Sequence, residues 1–178
     1  MLSSVSGKDV TKLMQIWTKK VGFPVISVTE KDSSLSVTQN RFLSSGDVRD
    51  EENQTHFVVP LALLIAGESE AVTQDVILES REMSIPMNKD CLQAYKLNAN
   101  QYGFYRTRYN PERLEKIGEQ AVKYPRMFSV QDRTGLVSDA GALAAAGYAK
   151  TSSFLNLVHQ WRSEDAYLSV LIFGLANM

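Results

Sequence analysis

Apolar residues near the start of the chain repeat with the period of an α-helix. This apolar face comprises Val10, Leu13, Met14, Trp17 and Val21. The pattern predicts a helix from Ser6 to Gly22, with Ser6 and Asp9 at the spacing of a capping box. Gly22 suits the position just beyond a helix end, and Pro24 prevents the helix from continuing.

From Pro24 to Tyr109 the pattern changes to strands. Residues 26–29 and 35–38 alternate between apolar and polar on either side of a polar turn at 32–34, which predicts a hairpin. Phe57 to Ile65 is apolar on both faces and predicts a strand buried between layers, with Pro60 at a bulge or an edge. Further strands are predicted at Thr73 to Ser80, Gln93 to Asn98 and Phe104 to Tyr109. Strands that follow one another without helices predict an antiparallel β-sandwich of about seven short strands.

The segment from Ser44 to Gln54 interrupts this pattern because it is polar and charged. It contains Gly46 and offers no apolar residue to a core except Val48. We therefore expect an exposed loop that is the most mobile internal segment and the first site of limited proteolysis.

A helical pattern returns at Asn110-Pro111, an N-cap followed by proline at the first helical position. Ser129 and Asp132 open a second helix, in which Gly135 and Gly141 would permit close contact with another helix. Two more helices are predicted at about Ser153 to Trp161 and Glu164 to Ala176, an apolar pattern that gives no stop signal before Met178 and suggests a truncated helical segment. The predicted fold is therefore a β-sandwich flanked by an N-terminal helix and a C-terminal α-helical segment. The helix that begins at Asn110-Pro111 has an apolar stripe of Leu114, Ile117, Ala121 and Tyr124.

The composition is that of a soluble globular protein, with 44% hydrophobic and 22% charged residues among 178. A formal net charge of −1 provides no basic surface for nucleic acid and no polybasic membrane patch. One cysteine, Cys91, excludes an internal disulfide and a multi-cysteine metal site. With no signal-peptide pattern at the N-terminus, these features indicate a cytoplasmic protein without a membrane or nucleic-acid partner.

Candidate catalytic residues are few. His56 and His159 lie far apart and form no His-Glu-x-x-His pair, so we expect each to be a partly buried structural histidine. Nothing in the sequence pairs Cys91 with a base, which favours an inert thiol. The carboxylate pairs Glu51/Glu52 and Glu68/Glu70 have the polar surroundings of solvated loops.

Two further motifs have a functional and a structural interpretation. Asn53-Gln54-Thr55 matches a glycosylation acceptor, but such triplets arise often by chance. Arg106 and Arg108 alternate with Tyr105 and Tyr109, a pattern that can bind nucleic acid. In a neutral chain, arginines in salt bridges on one face and packed tyrosines on the other are the favoured interpretation. We expect Tyr105 and Tyr109 to serve the fold.

Three segments together resemble one family. Residues 14–18 running into 21–25, which include Trp17, Gly22 and Pro24, resemble the last catalytic-domain helix and following strand of zinc aminopeptidases of the puromycin-sensitive and aminopeptidase N class. Residues 100–106 resemble the motif near the end of that family's β-sandwich domain, and residues 132–144 resemble the first helix of its C-terminal helical domain. The corresponding positions in these two segments are Gly103, Phe104, Tyr105, Arg106, Asp132, Arg133 and Asp139.

The resemblance implies a division into three parts: 1–22 as the end of the catalytic domain, 23–110 as the sandwich, and 111–178 as the first helices of an incomplete helical domain. It implies that zinc and the catalytic residues lie elsewhere in the full-length parent enzyme, so that no catalytic, metal or cofactor residue is assigned to this chain. The partners it implies are the missing catalytic and helical portions. Apolar residues in the terminal helices also suggest a homodimer, for which swapping is one route.

Two alternatives stay open at this point. One is a free-standing β-sandwich that binds a protein partner, because this architecture carries many unrelated functions. The other is an enzyme of unfamiliar type built around Cys91 or the carboxylates.

Overall fold

The computed structural model describes residue 7 and residues 9–66 and 71–162. In that part the chain forms nine short strands and five α-helices, with a 3₁₀ turn at Ala99–Gln101. The helices are α1 (Val10–Lys19), α2 (Lys89–Gln93), α3 (Pro111–Lys123), α4 (Val130–Ala145) and α5 (Thr151–Gln160). The strands are β1 (Pro24–Lys31), β2 (Ser34–Arg41), β3 (Val59–Pro60), β4 (Leu63–Ala66), β5 (Ala71–Gln74), β6 (Ile77–Leu78), β7 (Glu82–Pro86), β8 (Tyr95–Lys96) and β9 (Arg106–Arg108).

The hairpin of β1 and β2 confirms the prediction from alternation. The two strands are antiparallel from Pro24 opposite Arg41 to Lys31 opposite Ser34, with Val28 opposite Val37. Because side chains alternate across a strand, this register places the apolar residues of both strands on one buried face.

One of the three sheets is mixed, so the prediction of a purely antiparallel arrangement is wrong. A four-stranded sheet has the order β7-β2-β1-β9, in which β9 runs parallel to β1. Two smaller sheets have the order β5-β4-β8 and β3-β6. Strand β7 was not predicted, because its sequence Glu-Met-Ser-Ile-Pro carries only two apolar residues and ends on proline.

Four predicted strands are shorter or divided. The apolar run from Phe57 to Ile65 is broken at Leu61 and Ala62, where Ala62 has a φ of 45° that no strand residue adopts. The run from Thr73 to Ser80 is divided between β5 and β6. The run from Gln93 to Asn98 starts on the last residue of the unpredicted helix α2, which Asn88 caps, so that only Tyr95–Lys96 forms a strand. The run from Phe104 to Tyr109 forms a strand only at Arg106–Arg108.

One hydrophobic core joins the sheets to the helices. It includes buried residues of the four-stranded sheet such as Ile26 and Leu35, of β4 such as Leu63, and of α3 and α5 such as Ile117 and Leu157. The sheets and helices therefore exclude water together, and each contributes its apolar face to the same interior.

The starts of α3 and α4 agree with the predicted caps. Asn110 accepts a hydrogen bond from the backbone amide of Arg113, and Ser129 and Asp132 form a reciprocal capping box. Gly135 is in close contact with the Gln101 side chain, so the space left by this glycine admits the 3₁₀ turn at Ala99–Gln101. The predicted helix from Glu164 to Ala176 lies outside the described residues.

Helix α1 is shorter than predicted. It ends at Lys19, three residues before Gly22, and Ser6 lies outside the described residues. Gly22 has a φ of 100°, which explains the glycine although it lies beyond the helix end. The Trp17 indole nitrogen donates to the Val58 carbonyl oxygen at 2.9 Å, which ties the helix to the sheets.

The segment from Ser44 to Gln54 contains neither helix nor strand in the structure, as predicted. It is anchored at two points: Gly46 is in close contact with the Ala146 carbonyl at the end of α4, and Asn53 binds the backbone amide of Arg41. Its mobility remains a prediction. No helix among the described residues is long and apolar enough to cross a membrane.

Candidate functional site

A buried polar junction connects the sheets to helix α4. It is formed by the segment from Lys96 to Thr107, which we call the junction segment, and by one face of α4. Asp132 and Asp139 lie on that face seven residues apart, a spacing of about two helical turns. Each carboxylate binds a different part of the junction segment.

Asp132 holds the first part of the junction segment with one oxygen and caps its own helix with the other. Its Oδ1 accepts from Lys96 Nζ at 2.9 Å and from the backbone amide of Asn100 at 2.7 Å. Its Oδ2 accepts from the backbone amide of Ser129 at 3.0 Å and from the Ser129 hydroxyl at 2.8 Å. Burial alone would raise the pKa of Asp132, but the Lys96 ammonium and the Ser129 hydrogen bonds hold it below its ordinary value.

Lys96 is the most buried charged side chain of the junction, at 1% exposed. Burial lowers the pKa of Lys96, and the neighbouring Asp132 carboxylate counteracts that effect. Its ammonium also donates to the carbonyl oxygens of Leu97 and Asn98, so all three of its protons have acceptors. A fully bonded buried charge of this kind favours one geometry over all others, because any displacement leaves the charge without its acceptors.

The junction segment has a strained backbone where Asp132 binds it. Asn98, Asn100 and Gln101 have φ values of 59°, 54° and 58°, a left-handed conformation that L-residues adopt at a cost. The Asn98 side chain holds the segment closed: its Oδ1 accepts from the amide of Gly103 at 2.7 Å, and its amide group donates to Gln101 and to the Gly103 carbonyl. The conformation is therefore imposed by the surrounding hydrogen bonds.

Asp139 binds the last part of the junction segment, at β9. Its Oδ2 accepts from the backbone amide of Thr107 at 2.9 Å, and its Oδ1 forms an ion pair with Arg106 at 3.2 Å. Burial raises the pKa of Asp139 to about 6, despite the opposing effects of the Thr107 amide and the Arg106 and Lys96 charges. The Arg106 guanidinium also lies over the Phe42 ring, 5.1 Å from its centroid.

Tyr105 and Tyr109 are both buried, and each places its hydroxyl on a backbone group of the sheets. The Tyr105 hydroxyl donates to the Leu61 carbonyl at 2.5 Å, and the Tyr109 hydroxyl accepts from the Leu97 amide at 2.8 Å. Burial raises the pKa of both tyrosines, so both are neutral at physiological pH. Gly103 lies against the Tyr105 ring so closely that a Cβ at this position would collide with it.

Arg133, next to Asp132, joins two helices. It is 5% exposed, and its guanidinium donates to the carbonyl oxygens of Ala121 and Pro125 at the end of α3. It also lies 5.8 Å from the Trp161 ring centroid. These bonds satisfy carbonyl groups that the end of a helix leaves without intrahelical partners.

Two further predicted residues, Trp17 and Phe104, belong to a row of aromatic rings that includes part of the junction segment. We call Trp17, Phe23, Phe42 and Phe104 the aromatic face. Phe104 lies 6.2 Å from Trp17 and 4.9 Å from Phe23, between ring centroids, and Phe23 stacks on Phe42 at 5.3 Å. Phe104 is nonetheless 68% exposed, whereas its neighbour Tyr105 is 5% exposed.

The structure thus brings the predicted positions into one connected region. Trp17 contacts Phe104, Pro24 pairs with Arg41 at the start of β1, and Gly22 lies beside the Arg41 side chain. Sequence reasoning missed Lys96 and Asn98. A lysine within an apolar run was the available signal, but a lone lysine is far more often exposed than buried.

Comparison with known proteins points to one family. The model of the ERAP1-like C-terminal domain family matches residues 94–173, a range that starts just before the junction segment. The chain is 41% identical over 167 residues to an alanine/arginine aminopeptidase of Saccharomyces cerevisiae, and 45% identical over 170 residues to aminopeptidase 2 of Candida albicans. It is also 28% identical over 172 residues to a puromycin-sensitive aminopeptidase of Caenorhabditis elegans. The chain is similar to a part of the M1-class aminopeptidases.

Each of these three matches covers 94% of this chain and 18% of the relative. The chain therefore spans less than a fifth of the length of these relatives. The matches extend over both the sheets and the helices of the structure.

The zinc that this class of aminopeptidases uses does not fit the described residues. A catalytic zinc site needs three protein ligands that converge on one point. Among residues 9–66 and 71–162, no three His, Cys, Asp or Glu side chains form such a group. His56 and His159 are both exposed, so the prediction that they are partly buried structural residues is wrong.

Two other candidate positions, Asn53 and Cys91, are half-buried in the described part of the chain. The Asn53 side-chain amide, which a glycan would modify, donates to Asn40 Oδ1 at 2.8 Å, and its Oδ1 accepts from Arg41 and Arg81. Cys91 is half-buried in α2 as a free thiol. The amide bonds of Asn53 favour the structural interpretation of this triplet.

Proposed function

We propose that this chain is a non-catalytic structural part of a zinc-dependent aminopeptidase that removes N-terminal amino acids from peptides. Residues 23–110 form the β-sandwich domain of that parent enzyme, and they space its catalytic domain from its helical domain. Residues 1–22 end the catalytic domain and residues 111–178 begin the helical one. The similarity to aminopeptidases supports the parent activity, and the polar junction supports the spacing role.

The observation that carries the spacing role is the pair of carboxylates on α4. Asp132 and Asp139 bind opposite ends of the junction segment, so α4 can neither rotate nor slide along the sheets without breaking a buried charged hydrogen bond. A spacer must hold two domains in one orientation. Buried charged bonds at two separate points provide that restraint, because breaking either one leaves a charge without its partner.

The absence of a convergent ligand set among the described residues supports a division of labour within the parent. In the parent, the catalytic domain would hold the zinc, which would supply Lewis-acid chemistry there. The residues of this chain would contribute to that reaction only by holding the helices at a fixed position relative to the catalytic domain.

The test compares chain 1–178 with the protein encoded by the complete reading frame. We expect the full-length protein to contain about one zinc ion per chain and to hydrolyse aminoacyl fluorogenic substrates. We expect chain 1–178 to do neither, as measured by mass spectrometry of bound metal and by hydrolysis assays across neutral pH. Stoichiometric zinc in chain 1–178, together with turnover that a chelator abolishes, would contradict the proposal.

A second arm tests the spacing role in the full-length protein. Asp132→Asn is expected to lower peptide hydrolysis while the zinc content stays unchanged. Glu119→Gln, at an exposed position on α3, is the matched control and should leave both unchanged. Full hydrolysis in a folded Asp132→Asn protein would show that the junction does not serve the parent's activity.

A further inference from the structure

A small cavity lies where β9, α4 and the start of α5 meet. Its volume is about 20 Å³, and the polar residues that line it are Thr107, Asp139, Lys150 and Ser153. The rest of its wall is mainly apolar. A single buried water needs about 10–15 Å³ of such space and at least two polar partners. The cavity therefore has room for one water and little more.

Thr107 is the residue of this wall that needs a hydrogen-bond partner. It is 5% exposed, and its hydroxyl oxygen is buried without a partner among the residues that the structure describes. Its backbone amide is bound to Asp139, which fixes this part of β9 against α4. A buried hydroxyl without a hydrogen bond is unfavourable, and folded proteins rarely contain one. The Thr107 hydroxyl therefore requires a partner inside the cavity.

Asp139 provides the second binding group. It is 7% exposed, and each of its two oxygens accepts one hydrogen bond from the described residues, Oδ1 from Arg106 and Oδ2 from the Thr107 amide. A carboxylate has about four acceptor positions, so further positions stay available. One water can donate to such a position and accept from the Thr107 hydroxyl at the same time, because bridging waters replace direct hydrogen bonds at little cost.

We propose that this cavity binds one water molecule, which accepts a hydrogen bond from the Thr107 hydroxyl and donates one to the Asp139 carboxylate. The water extends the polar junction towards α5, because Lys150 and Ser153 at the start of that helix line the same cavity. The site lies within this chain, so it does not depend on the activity of the parent.

A high-resolution crystal structure of chain 1–178 tests the site directly. We expect one water oxygen within about 2.6–3.2 Å of both Thr107 Oγ1 and an Asp139 oxygen. We expect no such water in Thr107→Val, whose side chain has nearly the same shape but no hydroxyl. A structure in which the Thr107 hydroxyl donates to a protein carbonyl, or in which the cavity shows no density, would overturn the proposal.

The sign of a stability change tests the site in solution. Thr107→Val loses the hydrogen bond to the water, so its melting temperature should fall by about 2–4 °C. Thr73→Val, at an exposed position of β5, is the matched control and should change the melting temperature by less than about 1 °C. An unchanged or higher melting temperature for Thr107→Val would refute the site, because replacing an unpartnered buried hydroxyl by a methyl group stabilises a fold.

The titration of Asp139 is a readout that packing alone would not move. Removing the water removes a donor to the ionised carboxylate, so Thr107→Val should raise the pKa of Asp139 further above its value of about 6. The other titratable groups around this carboxylate are Lys96, Tyr105, Arg106, Tyr109 and Lys150. The substitution leaves all of them in place. NMR of the Asp139 carboxyl carbon from acidic to neutral pH measures the change, and an unchanged or lowered pKa would contradict the proposal.

Discussion

The β1–β2 hairpin and the polar junction are equally inaccessible to water but are held by different forces. In the hairpin, Ile26, Leu35 and Val37 are fully buried and interact through non-directional apolar contacts. In the junction, Lys96 and Asp132 are just as buried, at 1% and 2% exposed, and interact through charged hydrogen bonds with fixed directions. Apolar packing tolerates small displacements of one strand against another, whereas the junction tolerates almost none. Apolar burial therefore makes the hairpin compact, whereas the charged hydrogen bonds of the junction also fix its geometry.

The largest effect is expected from removing the carboxylate that the junction shares among four donors. Asp132→Ala leaves the buried Lys96 ammonium without its counter-ion and removes the cap of α4, so we expect a loss of about 4–5 kcal/mol in the free energy of unfolding. Urea denaturation of the purified chain measures it, and Glu119→Ala on the exposed side of α3 is the control, with an expected change within about 0.5 kcal/mol. A loss below about 1 kcal/mol for Asp132→Ala would contradict this prediction. It would mean that the junction fixes the geometry of the fold no more strongly than the hairpin does.

A somewhat smaller effect is expected at Tyr105, which belongs to both the apolar core and the junction. Tyr105→Ala should cost about 3–4 kcal/mol, because it removes a buried ring as well as the hydrogen bond to Leu61. Tyr105→Phe removes only the hydroxyl and should cost about 1–2 kcal/mol. Thermal unfolding of the two variants separates the contributions. An equal loss in both would mean that the ring itself contributes nothing.

The pH dependence of stability distinguishes the two carboxylates. Because burial raises the folded-state pKa of Asp139 to about 6, above the ordinary value of 3.8, the folded chain binds more protons than the unfolded chain between these values. The contribution of Asp139 to stability is therefore complete below about pH 4 and is lost as the pH rises through about 6. Asp132, whose folded-state pKa is lowered, contributes stability above its ordinary pKa and loses it on stronger acidification.

Asp139→Asn provides the measurement. Between pH 7 and pH 5, we expect the stability of the wild-type chain to rise relative to that of Asp139→Asn by about 1 kcal/mol. Chemical denaturation at three pH values is sufficient. If the difference between the two proteins is independent of pH, the Asp139 carboxylate titrates as an ordinary exposed one.

The difference in stability between two glycine variants distinguishes a steric clash from a restriction of backbone conformation. Gly103→Ala should cost about 1–3 kcal/mol because its Cβ would meet the Tyr105 ring and the Asn98 side chain. Gly147→Ala has open space around it and a φ of 77°, so it should cost only about 1 kcal/mol, from backbone conformation alone. Equal melting temperatures of these two variants would show that the close approach at Gly103 relaxes without cost.

The hairpin could be predicted from the sequence and the junction could not. Alternation over residues 26–29 and 35–38 is local and predicts both the hairpin and its buried face. The caps at Asn110 and Ser129 are likewise local, and both were predicted correctly. The junction depends on residues that are far apart: Lys96 finds Asp132 thirty-six positions later, and β9 joins the sheet parallel to β1. No local pattern reports such pairings, so the buried lysine and the mixed sheet could not be predicted from periodicity.

The family resemblance supplied part of what periodicity could not. It selected Asp132, Asp139 and Arg106 as positions of interest, and the structure shows that these three side chains belong to one hydrogen-bonded region. It did not select Lys96 or Asn98, whose importance depends on burial. The strain at Asn98 and Asn100 was also invisible in the sequence, because asparagine is common in ordinary turns.

The junction acts as one coupled unit, and a double-mutant cycle on Lys96 and Asp132 tests this claim most directly. The free energy of unfolding is measured for the wild-type chain, Lys96→Met, Asp132→Asn and the double variant. We predict a coupling energy of about 2–3 kcal/mol, with the double variant more stable than Asp132→Asn alone, because a methionine leaves no uncompensated charge. A coupling energy below about 0.5 kcal/mol would contradict the claim, since the two charges would then contribute independently.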